Sequence, residues 1–102
     1  MFYVYIIYST KSDLYYVGHS HDPERRLKAH NESPQNTFTS KHRLWELKAK
    51  IQISDDRGEA MKLEKYIKSV KKRSFIESII YNQKDEHFIE ELKKNFGWLE
   101  SR

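Results

Sequence analysis

The sequence predicts an α+β domain, a small three-stranded antiparallel sheet flanked by helices in the order β-β-α-β-α-α, with an extra C-terminal helix. Three observations carry this. Residues 2–8 (FYVYIIY) and 14–20 (LYYVGHS) are aromatic and β-branched, and the STKSD between them is rich in turn formers, the pattern of a β-hairpin. Residues 44–53 alternate Trp45, Leu47, Ala49 and Ile51 with Leu44, Glu46, Lys48 and Lys50, the period of a third strand. Ala60, Leu63, Ile67 and Val70 then recur at helical spacing.

If the hairpin is symmetric about Thr10 and Lys11, paired positions sum to 21 and Tyr5 faces Tyr16 across it. Asp22-Pro23 places an N-cap acceptor before a residue whose fixed φ suits a first helical turn, so a helix should run from there to about Glu32. Asn31, Ser33, Pro34 and Asn36 end it. Asp55 or Asp56 caps the next helix, and Ser74 can cap a short one through Tyr81. A last helix, about 84–96, presents Phe88, Ile89, Leu92 and Phe96 on one face and should stop at Gly97. Helices are expected to cover one face of the sheet. Residues 1–81 form the expected functional domain, with 82–102 a helical extension packed on it.

At 102 residues, one core is expected. With 37% hydrophobic and 33% charged residues, the chain is too apolar for disorder and polar enough to expose its helices. No run approaches the roughly 20 apolar residues that span a bilayer, and the apolar start lacks a basic leader, so no membrane association and a cytoplasmic location are expected. The absence of cysteine excludes disulfides and thiol catalysis, and leaves oxygen or nitrogen ligands for any metal. The net charge of +4 is modest, but residues 62–73 hold Lys62, Lys65, Lys68, Lys71, Lys72 and Arg73 against only Glu64. Such a stretch suits phosphates.

Tyr3-Val4-Tyr5 and Tyr16-Val17-Gly18, followed by Arg26 eight residues after the glycine, His30 four later, and Glu64 with Lys68 in AMKLEKYIK, together resemble the signature of the GIY-YIG nuclease family. The likeness covers roughly residues 2–80 and is closest to the small stand-alone bacterial members. Tyr3 replaces the first glycine and Val17 an isoleucine, and residues 82–102 match no part of the signature. The resemblance implies a metal-dependent endonuclease hydrolysing phosphodiester bonds in nucleic acid, DNA ahead of RNA, with Tyr5, Tyr16, Arg26, His30 and Glu64 as catalytic residues and Glu64 as ligand to one Mg²⁺ or Mn²⁺ ion. It implies that both phenols point into a shared cleft, Tyr5 near the attacking water and Tyr16 near the phosphate.

The chemistry also follows from the residue types. Phosphodiester hydrolysis needs an activated water, neutralisation of the phosphoryl oxygens and help for the departing alkoxide. Hard divalent ions bind through one or two carboxylates and keep several waters, so one glutamate can suffice if the substrate phosphate also coordinates. Glu64 lies within about 40–60° of Ala60 and Ile67 on a helical wheel, at the border of the buried face. Its bland alternative is a surface pair with Lys68 at i+4. Arg26 and His30, also i and i+4, leave one helix face together; the first can grip a phosphate bidentately, and the second can bind phosphate or shift a proton near neutral pH. Both also fit an ordinary solvated face, and tyrosines on a strand are usually core.

Gly18 fits a place where a side chain would block the backbone's approach to a phosphate or to the next strand, or else a β-bulge. Gly18, Ser20, Lys41 and Lys68 are candidate nucleic-acid contacts, and Ser20 or Asn31 could orient the site. His19, His21, His42 and His87 lack paired zinc-ligand spacing. Two rivals stay open: a non-catalytic nucleic-acid-binding module using the same cleft, and a protein-interaction module using Phe88, Phe96 and Trp98. A monomer or weak homodimer is expected.

Overall fold

The computed structural model describes residues 1–100, with side chains described through residue 94; the expected roles of Phe96 and Trp98 lie outside those described residues. Strand β1 (Phe2–Ser9) is central, between β2 (Leu14–Ser20) and β3 (Trp45–Ser54), and antiparallel to both. Val4 to Ile7 are all essentially inaccessible to water, so both faces of this strand are buried.

That double burial corrects the expectation of helices on one face. On one side, Val4, Ile6, Val17, Ala49 and Ile51 pack against Ala60, Leu63 and Ile67 of α3 (Arg57–Val70), Ile79 of α4 (Arg73–Tyr81) and Leu92 of α5 (Glu86–Glu100). On the other, Tyr5, Ile7 and Trp45 cluster with Leu14, Tyr16, Leu47 and Leu27 of α1 (Pro23–Glu32). β3 serves both faces because its ladder with β1 shifts register: Ile6 pairs with Ala49 but Ile7 with Leu47, leaving Lys48 as an extra residue. A one-residue bulge inverts the phase of a strand, so Trp45 and Leu47 face one layer and Ala49 and Ile51 the other.

The hairpin register also differs from the symmetric expectation. Tyr5 pairs with Gly18 and Ile7 with Tyr16, because the connection has four residues, 10–13, and Asp13 takes the positive φ of 52° that no glycine is present to supply. Asp13 is held there by the Tyr8 hydroxyl at 2.6 Å and by Arg73. The slip is by two residues, so Tyr5 and Tyr16 remain on one face as diagonal neighbours.

Asp22 caps α1 by accepting from Arg25 N–H at 3.1 Å, and Asp56 caps α3 by accepting from Gly58 N–H at 2.8 Å. Ser74, in contrast, lies inside α4; Lys72 is the cap residue and gives no side-chain bond. α5 runs through Gly97, since glycine accepts helical φ at a cost of about 1 kcal/mol and ends a helix only where the chain turns left-handed. One further element was not expected, the single turn α2 (Phe38–Lys41), closed by a reciprocal pair of bonds between Thr37 and Ser40. Among the described residues no helix is long and apolar enough to cross a membrane.

Candidate active site

Tyr5, 1% exposed, projects from the central strand toward α1 and lies over Gly18 of the neighbouring strand. A Cβ at Gly18 would stand 2.5 Å from the Tyr5 hydroxyl oxygen and 2.6 Å from Cζ. Gly18 does not have positive φ, so space alone requires the glycine. The room it leaves is filled by the Tyr5 phenol of the next strand, so the close approach at Gly18 is that of a side chain on the paired strand.

The phenol oxygen lies 2.8 Å from His30 Nε2, and His30 Nδ1 lies 2.9 Å from Thr39 Oγ1. Thr39 Oγ1 is in turn 3.2 Å from Thr37 Oγ1, so hydroxyls and imidazole form a chain from the central strand to α2. Burial pushes the Tyr5 phenol up to about 12; the hydrogen bond and positive charge of Arg26 pull the other way, while Tyr16 and the Glu64 carboxylate add to the rise. Burial, with the charge of Arg26, brings His30 down to about 4. Both members of the pair are therefore neutral at pH 7, and His30 holds a single proton between two ring nitrogens that both have partners. This corrects the expectation of a histidine that exchanges protons near neutrality.

Tyr16 borders the same space. Its ring is 5.1 Å from His30, 6.2 Å from Trp45 and 6.4 Å from Phe38, and the Lys68 ammonium stands 5.3 Å from its centroid. Lys68 comes from α3, on the opposite face of the sheet, and reaches Tyr16 at the β2 edge. Its neighbour Glu64 reaches the same edge at His19. One Glu64 oxygen accepts from Lys68 Nζ at 2.7 Å, and the other is 2.7 Å from His19 Nδ1. Because a carboxylate only accepts, this contact places the His19 proton on Nδ1. The Glu64 side chain is 19% exposed, half-sheltered at the strand edge.

The remaining candidates separate. Asn31 clips α1 to β3, donating to Trp45 O at 3.0 Å and accepting from Trp45 N–H at 2.7 Å, and so orients the helix that carries Arg26 and His30. Ser20 is nearly buried and accepts from Asp22 N–H at 2.9 Å, a bond that shapes the entry to α1. Lys41 is exposed at the end of α2, without a contact to the Tyr5 group.

Among the described residues no group of three or more His, Asp or Glu side chains could enclose a metal ion. Glu64 fits a hard ion that keeps most of its waters. A carboxylate offers about four lone-pair sites, and the two contacts at Glu64, one on each oxygen, leave about two of them open. His19 and Lys68 fix the carboxylate, as partners of a metal ligand commonly do.

Three residues escaped sequence reasoning: His19, Phe38 and Thr39. His19 sits directly after Gly18, and strand alternation turns it away from Tyr16 toward α3; that parity was the available signal. Thr37 and Ser40, three apart, were the signal for the α2 turn that carries the other two.

A comparison with family models matches the GIY-YIG catalytic domain to residues 1–78, which contain every residue of the cleft. No curated protein and no solved structure matches the chain. With more than three-quarters of its length in that match, and with the signature tyrosines, arginine, histidine and glutamate gathered about the edge of one hairpin, the chain belongs to the GIY-YIG family of nucleases.

Proposed function

We propose that the protein is a divalent-metal-dependent endonuclease that hydrolyses phosphodiester bonds in nucleic acid, with DNA ahead of RNA as substrate. The observation that supports this best is geometric: the Tyr5 hydroxyl lies 2.8 Å from His30 of α1, and the Tyr16 ring lies 5.1 Å from His30 and 5.3 Å from the ammonium of Lys68. Lys68 is paired at 2.7 Å with Glu64 of α3, so two helices on opposite faces of the sheet meet the same hairpin edge.

In this reading Glu64 holds one Mg²⁺ or Mn²⁺ ion, which when bound supplies positive charge to the phosphoryl oxygens and acidity to its water. Arg26, permanently charged, binds the phosphate and offsets the negative charge that grows on it. Tyr5 activates the attacking water by accepting a hydrogen bond from it. With its proton held so strongly, it becomes a full base only under the combined pull of nearby positive charge. His30 keeps the phenol aimed, Tyr16 positions the phosphate, and Lys68 steadies Glu64 while adding charge at the entrance. Gly18 admits the Tyr5 ring. Residues 1–81 are the nuclease unit and 82–102 an extension on it, a division supported by Leu92 of α5 entering the core.

Cleavage of labelled single-stranded, duplex and flap oligonucleotides, with Mg²⁺, Mn²⁺ or excess EDTA, tests the proposal. Ion-dependent cutting of any substrate is expected, and turnover in excess EDTA contradicts the metal requirement. The second reading, a non-catalytic nucleic-acid-binding module, draws on the fact that both Glu64 oxygens already have partners. Binding without cutting across the whole panel favours it.

A further inference from the structure

Next to the Tyr5 group, α1 and the α2 turn enclose an open cleft of about 220 Å³, whose walls include Tyr16, Arg26, His30, Ser33, Gln35 and Phe38. It shares Tyr16, Arg26 and His30 with the candidate active site, so whatever occupies it lies beside the place where Arg26 would bind the phosphate. Phe38 is 52% exposed, an unusual position for a large aromatic ring on a four-residue helix that contributes little to the core. Its ring stacks at 28° on Tyr16, with centroids 6.4 Å apart, and lies 4.7 Å from the His42 ring, and both Phe38 and Tyr16 line the cleft. Gln35 stands at the rim with no side-chain bond among the described residues, offering an amide donor and an acceptor.

We infer that this cleft is a nucleobase subsite, in which an unpaired base beside the scissile phosphate stacks on Phe38 and presents its polar edge to Gln35. The inference rests on the nuclease reading and names its substrate class. The volume is below the roughly 300–1,000 Å³ of sites for drug-sized ligands and suits a single ring system. An exposed aromatic face beside cationic side chains is how proteins hold single-stranded nucleic acid, and every base has a face to stack. A base within a duplex has both faces covered by its neighbours and its edge paired. The site therefore selects single strands, flaps and frayed ends over intact duplex, a discrimination by structure and only weakly by sequence.

The test is a binding cycle in EDTA, where nothing is cut. A short single-stranded DNA is compared with versions in which one base at a time is removed, against the wild-type protein, Phe38→Ala and Phe38→Trp. Wild-type affinity should fall about tenfold when one particular base is missing. Phe38→Ala should bind the intact strand about tenfold more weakly and be indifferent to that base, so the two losses do not add. Phe38→Trp, which restores a ring, should recover the wild-type dependence. Additive losses, or no position-dependent loss, overturn the subsite, as does failure to bind single strands at all. Cutting in Mg²⁺ is scored separately: a base-dependent site without cutting removes the hydrolase reading alone, and cutting without base dependence removes the subsite alone.

Discussion

The two faces of the sheet are built from different materials. The face under α3, α4 and α5 is mainly aliphatic, with Val4, Ile6, Leu63, Ile67 and Ile79 all at or near zero exposure. The face under α1 and α2 is aromatic and polar, with Tyr5, Trp45, His30 and Thr39 buried but each joined to a partner through a hydrogen bond. Burial of an aliphatic side chain stabilises by about 1.5–3 kcal/mol with no directional demand. Burial of phenol, imidazole and hydroxyl is tolerated only with every partner in place, and no buried side-chain nitrogen or oxygen is without one among the described residues. The lesson is a division across one strand: Val4 and Ile6 enter the aliphatic core, and Tyr5 enters the hydrogen-bonded cluster that borders the candidate site.

The comparison predicts opposite phenotypes on the two sides. Arg26→Ala or Glu64→Ala should lower cleavage by about 10²–10³-fold. The circular dichroism spectrum and unfolding midpoint should stay near wild type, and a collapse of the fold would show that these residues belong to the scaffold. Leu63→Ala should do the reverse, costing about 2–5 kcal/mol in denaturant titrations while each folded molecule cuts at the normal rate. Gly18→Ala couples the two sides. The new methyl forces Tyr5 off His30 or pries β1 from β2, so about 1–3 kcal/mol should be lost together with most cleavage.

The smallest effect is titration of His30. Its folded pKa near 4 lies below the ordinary 6.5, so the neutral imidazole favours the fold above pH 6.5 and that contribution is lost as pH falls toward 4. Wild type should lose about 1 kcal/mol between pH 7 and 5.5 from this residue. His30→Gln should flatten that segment of the stability curve, and an unchanged slope would show that the imidazole is not held neutral.

Much of this was legible because it is local. Asp22-Pro23 announces α1, and the spacing of Arg26 and His30 puts both on one helix face whatever they pack against. The parity of Tyr5 and Tyr16 survives the slip of the hairpin because the slip is even. What could not be read depends on partners distant in the chain. Asp13 accepts positive φ with Tyr8 and Arg73 holding its carboxylate, and Arg73 lies sixty residues further on. The Lys48 bulge follows from β1 needing apolar cover on both faces, and an unbroken alternation in the sequence conceals it. His19 meets Glu64 only because α3 packs along the β2 edge, and Thr39 meets His30 only through a one-turn helix too short to show a period.

The segment between α1 and β3 is closed at its base. Asn31 and Trp45 share two hydrogen bonds, Arg43 donates to the carbonyls of His30 and Ser33, and the Trp45 indole donates to Thr39 O at 2.8 Å. A loop stapled in this way transmits little of what happens at its tip. Changes confined to residues 34–36 should therefore leave His30, Thr39 and Trp45 in register, so the tip can be altered without disturbing the groups at its base.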